Sequence, residues 1–231
     1  MIISHSHKFI FIKTKKTAGT SVELVLSPHL RIGDLATPLG NLLPRHRMFS
    51  KPFVTMMREK DEAIRPRNDH QPYSIVDKYF KHETQGYYAF CVERNPWDKA
   101  ISAFYYLTSK YGKSENRTDA ENFLDFTKSP RLKTFSDYDM YMKNDTPLVD
   151  RILRYERLTA EFDEVMLRLS LPCVTLAGTQ ENAQQRPKKT RALEEFYGQD
   201  LNNLASRNVR AAFAREIAYF GFEPPTSPQV Q

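Results

Sequence analysis

The sequence predicts an α/β fold with a mainly parallel sheet flanked by helices. Short, continuous apolar runs recur along the chain, Phe9-Ile10-Phe11-Ile12 and Tyr87 to Val92, and Leu148 to Tyr155 reads as a further strand with its flanks. Runs of that length suit strands buried on both faces. Segments with helical spacing follow them, as at Trp97, Ile101, Phe104 and Tyr105, which share one helix face. Strand and helix signals therefore alternate, the pattern of a parallel sheet with crossover helices.

Taken in order, Lys8 to Lys13 reads as the first strand, and Thr17-Ala18-Gly19-Thr20-Ser21 as a turn into a helix that stops by Pro28. Residues 29–72 are basic and irregular, broken by Pro38, Pro44, Pro52, Pro66 and Pro72. After the second strand, Asn95-Pro96 supplies an N-cap and a first helical residue. Residues 108–147 are polar and mixed, an insertion more than a core element. Leu158 to Leu169 spells an amphipathic helix, Cys173 to Leu176 a short strand, and Leu201 to Phe220 one long helix closed by Gly221. At 231 residues, one domain spanning 1–231 is expected, with acceptor-side insertions near 29–72 and 108–147.

The net charge of +6 favours an anionic partner. Aromatic residues at 12% argue against disorder. No apolar run approaches the roughly 20 residues of a membrane-spanning helix, and no signal-peptide pattern opens the chain. A cytoplasmic protein without a membrane partner is expected. Cys91 and Cys173 both sit in apolar runs and read as buried, reduced thiols; no zinc-binding spacing is present.

Two stretches carry chemistry. Lys16-Thr17-Ala18-Gly19-Thr20-Ser21 joins a strand to a helix, where backbone N–H groups and the helix dipole together favour an anion. Lys16 adds a charge, Thr17, Thr20 and Ser21 add hydroxyls, and Gly19 allows close backbone approach to a ligand. The order is not that of a Walker A loop, because the lysine precedes the glycine. In the second stretch, Glu93-Arg94-Asn95-Pro96-Trp97-Asp98-Lys99-Ala100-Ile101-Ser102, Arg94 leaves the strand end and Ser102 lies two turns into the next helix. Both could reach a phosphate at the carboxyl edge of the sheet. The structural alternative for Arg94 is an ion pair with Asp98.

With these motifs the chain resembles the P-loop-like sulfotransferases that use 3′-phosphoadenosine 5′-phosphosulfate (PAPS), in the carbohydrate branch that includes heparan sulfate 2-O-sulfotransferase-like proteins. The resemblance spans nearly the full chain, with weaker echoes at Arg154 to Leu158 and Ile217 to Phe222. It implies a P-loop-nucleotide-hydrolase-like sulfotransferase fold and PAPS as donor substrate, without a metal. It gives the 5′-phosphosulfate to Lys16, Thr17, Ala18, Gly19, Thr20 and Ser21, and the 3′-phosphate to Arg94 and Ser102. A basic loop containing Arg186 and Lys189 would add contacts to the adenine or the 3′-phosphate. Relatives carry His-x-Pro-Lys where this chain has Lys13-Thr14-Lys15-Lys16. Lys16 is the expected catalytic cation, with Lys13 and Lys15 as alternatives. Glu93 replaces a usually apolar residue.

Transfer to a hydroxyl needs a base, and imidazole suits that role near neutral pH. Relatives often place a histidine about two dozen residues before the Arg-Asn-Pro motif, and His70 precedes Arg94 by 24. His70 is the chosen base, with His46 and Asp69 as alternatives. The resemblance implies a hydroxyl acceptor, a glycan by preference. Tyr138 and Tyr141 are candidates for stacking on sugars or for the core. The competing readings are a P-loop kinase using ATP and a non-catalytic basic nucleic-acid-binding domain. The first lacks the Walker A order, and the second lacks any nucleic-acid motif. A nucleic-acid partner is not expected.

Overall fold

The computed structural model describes residues 1–36, 70–173, 176, 196–198 and 203–224. In chain order the elements are β1 (Ile2–Ser4), β2 (Phe9–Ile12), α1 (Gly19–Leu26), β3 (Leu35–Ala36), α2 (Tyr73–Tyr79) and β4 (Tyr88–Glu93). Then come α3 (Pro96–Tyr111), α4 (Asp119–Lys128), the helical turn α5 (Tyr138–Tyr141), β5 (Met142–Lys143), β6 (Thr146–Pro147) and β7 (Arg151–Arg154). The last elements are α6 (Leu158–Arg168), α7 (Leu204–Ala212) and α8 (Ala214–Phe220). The chain divides into two compact units, Met1–Glu93 with Asp139–Gln180 and Arg94–Tyr138 with Glu181–Gln231.

The first unit is α/β, with a five-stranded sheet in the order β3-β1-β2-β4-β7. β2, β4 and β7 run parallel, with Ile12 opposite Cys91 and Glu93 opposite Arg154. β1 is antiparallel to β2 and to β3, which makes the sheet mixed rather than uniformly parallel. Alternate residues of the strands (Phe9, Phe11, Phe90, Val92 and Leu153) pack with Val22, Val25 and Leu26 of α1 and with Phe162, Val165 and Met166 of α6. Ile10, Ile12 and Cys91, on the opposite face, are also fully buried. That explains why the strands read as unbroken apolar runs. Each such side chain contributes roughly 1.5–3 kcal/mol through burial.

The second unit is helical. Trp97, Ile101 and Phe104 of α3 form a core with Phe123 of α4, Phe135, and Val209 and Phe213 near the carboxyl end. The stretch 108–147 thus contributes α4 and its wholly buried Phe123 to a core. The Trp97 indole N–H donates to Ser206 Oγ at 2.7 Å, and the Tyr197 hydroxyl donates to the Trp97 carbonyl at 2.9 Å. Lys99 and Asp137 form a buried ion pair at 2.7 Å. Asn95 caps α3 by accepting from the Trp97 N–H, with Pro96 as first residue, and Thr118 and Glu121 form a capping box on α4. The long terminal helix is in fact two, α7 and α8. They are separated at Phe213, whose backbone leaves the helical range (φ −117°, ψ 31°) while its ring stays in the core. Gly221, at φ 61°, closes α8 as expected.

No described helix is long and apolar enough to cross a membrane. The strand expected at Cys173 to Leu176 lies partly outside the described residues. Cys173 itself is outside any strand and exposed, against the buried thiol expected there, whereas Cys91 is buried.

Candidate functional site

The turn between β2 and α1 is built from left-handed residues. Lys16 has φ 59° and Ala18 φ 61°, while Thr17 between them is not among the positive-φ residues. Alternation of the sign of φ directs successive N–H groups toward one concavity, a backbone arrangement that receives anions. Neither residue is glycine, so each carries about 1–2 kcal/mol of steric cost that the surroundings must offset. Ala18 is the N-cap of α1 and cannot cap it with a side chain, and the first turn contains no acidic residue. The positive end of the α1 dipole therefore meets no described carboxylate of its own first turn.

The inner side of the turn is occupied by protein. Lys13 is buried, and its ammonium lies 2.7 Å from Glu23 Oε2. The other oxygen of Glu23 accepts from the Met1 amino group at 3.1 Å. Thr14 Oγ1 donates to the Val92 carbonyl oxygen at the end of β4 and lies 2.7 Å from Thr17 Oγ1. Thr17 Oγ1 also reaches the Thr14 carbonyl oxygen at 3.2 Å. With both hydroxyls buried, Thr17 ties the turn together rather than offering its hydroxyl to a ligand. Gly19 also needs a different explanation. A Cβ there would sit 2.7 Å from Lys13 Cγ, so the glycine makes room for the Lys13 stem. Lys15, Lys16, Ala18 and Thr20 keep partial exposure, and Ser21 is buried.

His70 is half-buried, with Nδ1 2.9 Å from the Lys13 carbonyl oxygen. A carbonyl only accepts, so Nδ1 carries the proton and Nε2 is the basic nitrogen of the neutral ring. The structure thus brings His70 to the turn that carries Lys16. His46 and Asp69 lie outside the described residues, as do Arg186 and Lys189.

Glu93 ends β4 fully buried, and its Oε2 accepts from the Tyr141 hydroxyl at 2.6 Å. Tyr141 is buried too, and so is Tyr138. Both belong to the interior, which settles the choice left open between sugar stacking and core. In the second unit, Arg94 donates through Nε and Nη2 to Asp98 Oδ2 at 2.8 and 2.6 Å. That is the local ion pair weighed as its structural alternative. Ser102, two turns along α3, is half-buried.

Thr14, Glu23 and Tyr141 are the contributors that the motifs did not single out. Glu23 had a signal, a lone carboxylate inside the apolar run Val22 to Leu26. Thr14 had none, because its partner Val92 is remote in sequence, and for Tyr141, a candidate for sugar stacking or core, the bond to the equally remote Glu93 was not readable.

The fold and this turn define an α/β protein with a basic strand–turn–helix at the carboxyl end of a parallel strand. The chain is 33% identical over 90 residues to an uncharacterized protein of Archaeoglobus fulgidus, an alignment covering 38% of this chain and 71% of that protein. The chain belongs to the same family as that archaeal protein. No family model matches it, and no solved structure matches it.

Proposed function

We propose that the chain is a PAPS-dependent sulfotransferase with the P-loop-like sulfotransferase fold, acting on an acceptor hydroxyl, that of a glycan by preference. The observation that carries this reading is the sign-alternating turn at Lys16 and Ala18, which opens into a helix without a side-chain cap. A turn and helix start of this kind suit a terminal oxyanion, through backbone N–H groups, a dipole end and a neighbouring lysine.

In the proposed reaction the acceptor oxygen forms a bond to sulfur while the bond from sulfur to the 5′-phosphate oxygen breaks. The acceptor proton passes to His70 Nε2, and 3′-phosphoadenosine 5′-phosphate departs. Charge grows on the departing phosphate only along the reaction path, and Lys16 with the N–H groups of the turn would stabilise it there. Arg94 and Ser102 are the residues proposed for the 3′-phosphate. Arg94 would then share its guanidinium between the phosphate and Asp98.

A thermal-shift panel tests the reading with 3′-phosphoadenosine 5′-phosphate, ATP with Mg²⁺, and an oligonucleotide. At about 100-fold over Kd, a true ligand stabilises by roughly 2.7 kcal/mol. Stabilisation by the 3′-phosphorylated nucleotide, with sulfuryl transfer from PAPS to a panel of glycans detected by mass spectrometry, is the expected outcome. Stabilisation by ATP or the oligonucleotide alone would transfer the reading to a kinase or a nucleic-acid binder.

A further inference from the structure

Lys13 touches three parts of the candidate site with three different atoms. Its ammonium pairs with Glu23 of α1 at 2.7 Å, with both side chains buried. Its stem lies where a Cβ on Gly19 would be, 2.7 Å from Cγ and 3.5 Å from Cε. Its carbonyl oxygen accepts from His70 Nδ1 at 2.9 Å. A lysine exposed to bind an anion would need a mobile, solvated ammonium, whereas this one is held inside by a carboxylate.

We infer that Lys13 is a positioning residue of the anion-binding turn, setting the distance from the turn to α1 and the placement of His70, and is not itself a phosphate ligand. The inference rests on the reading of the turn as an anion site. It assigns the ligand-facing charge to Lys16, with Lys15 beside it, and gives Glu23 the task of keeping Lys13 inward. A displacement near 1 Å in such a frame costs on the order of 100-fold in rate or affinity. Glu23 is the carboxylate of two buried ammonium groups, those of Lys13 and Met1, so Glu23→Gln withdraws it from both, whereas Lys13→Met leaves the Met1–Glu23 pair in place; the two substitutions are therefore coupled.

The test is a double-mutant cycle with Lys13→Met, Glu23→Gln and the pair, in the full chain. Met keeps the stem volume, and Gln keeps an oxygen for the Met1 amino group. Each protein is measured for its urea midpoint and for its affinity toward 3′-phosphoadenosine 5′-phosphate and inorganic pyrophosphate. Lys13→Met is expected to lower the urea midpoint and weaken both anions about 10- to 100-fold, with the double variant losing less of both than the sum of the two single losses. Weakened anion binding with an unchanged midpoint and strictly additive losses in the double variant would overturn the inference and make Lys13 a ligand. Should the wild type bind pyrophosphate but not the nucleotide, the sulfotransferase reading falls, while coupling of the two substitutions in pyrophosphate affinity still decides the role of Lys13. Should it bind neither anion, the positioning role falls with the anion site.

Discussion

The Lys13 carbonyl oxygen and His70 Nδ1 lie 2.9 Å apart, across 57 residues of sequence. One peptide unit of the basic turn therefore orients the imidazole proposed as base. This does structurally what a carboxylate does for the histidine in a catalytic triad, but without adding negative charge.

His70→Ala should reduce turnover by about 10²–10⁴, the usual scale for removing a general base. Affinity for 3′-phosphoadenosine 5′-phosphate should change little. Steady-state kinetics beside calorimetry check both. A comparable loss in nucleotide affinity would place His70 on the donor, and undiminished turnover would direct attention to His46 and Asp69.

Arg94 makes the second testable relationship, because its Nε and Nη2 both donate to Asp98 Oδ2. Arg94→Ala should remove roughly 1.5–3 kcal/mol of the preference for 3′-phosphorylated nucleotides over ADP, the scale of a charge-assisted hydrogen bond. Asp98→Asn, which withdraws the competing carboxylate, should increase that preference. Equal affinity of the wild type for the two nucleotides, measured by calorimetry, would leave Arg94 as a structural ion pair only.

Ala18→Gly should raise stability by about 1 kcal/mol, since a residue at φ 61° with a Cβ is strained and glycine is not. Urea melts provide the measurement. Anion affinity should fall slightly, because the glycine turn samples more conformations when empty. An unchanged or lower midpoint would mean that the left-handed geometry is not held in solution.

Asp34 gives the pH dependence. Its carboxylate accepts from Ser4 Oγ at 3.0 Å, from Ser6 N–H and Oγ at 2.9 and 2.6 Å, and from the Arg31 N–H at 2.9 Å. Burial pushes the group up, but the bonds from Ser6, Arg31 and Ser4 outweigh burial and hold it below its ordinary value. A depressed carboxylate stabilises the fold above its unfolded value, near 3.9, and that contribution is lost as pH falls through the lower folded value. Wild-type stability should therefore fall as pH drops below about 4. Asp34→Asn should be less stable by about 1–3 kcal/mol at pH 7 and flatter with pH. Parallel pH series of urea melts decide it.

The features legible in the sequence are those determined within a few neighbours. Phe9 to Ile12 and Tyr88 to Glu93 announce strands because both faces are apolar, and Asn95-Pro96 announces a helix start because cap and first residue are adjacent. β1 was missed because Ile2–Ser4 is three residues long and draws its stability from β2 and β3 on either side. α4 was concealed because charges dominate its sequence, although Phe123 is wholly buried and Leu124 and Phe126 pack against the same core. The break at Phe213 has no glycine or proline to mark it. In the candidate site the chemical identity of Lys16 and His70 was readable, but the inward turn of Lys13, Thr14 and Thr17 was not. Whether a side chain faces in or out of a tight turn depends on partners such as Glu23 and Val92, which the spacing of the motif does not encode.

The placement of β2 between β1 and β4 also orders the assembly of the turn in time. β1 and β2 meet across His5 to Lys8, whereas β2 meets β4 only after the chain between Ile12 and Tyr88 has closed on itself. Closing a long segment costs more entropy than closing a short one, so the β1–β2 connection closes at lower cost than the one between β2 and β4. Thr14 has no carbonyl to bond until Val92 arrives. A nascent chain that has emerged only through α1 thus carries every motif residue of the turn but not its latch, and the anion recognition proposed for it would mature only once β4 has been made and has docked.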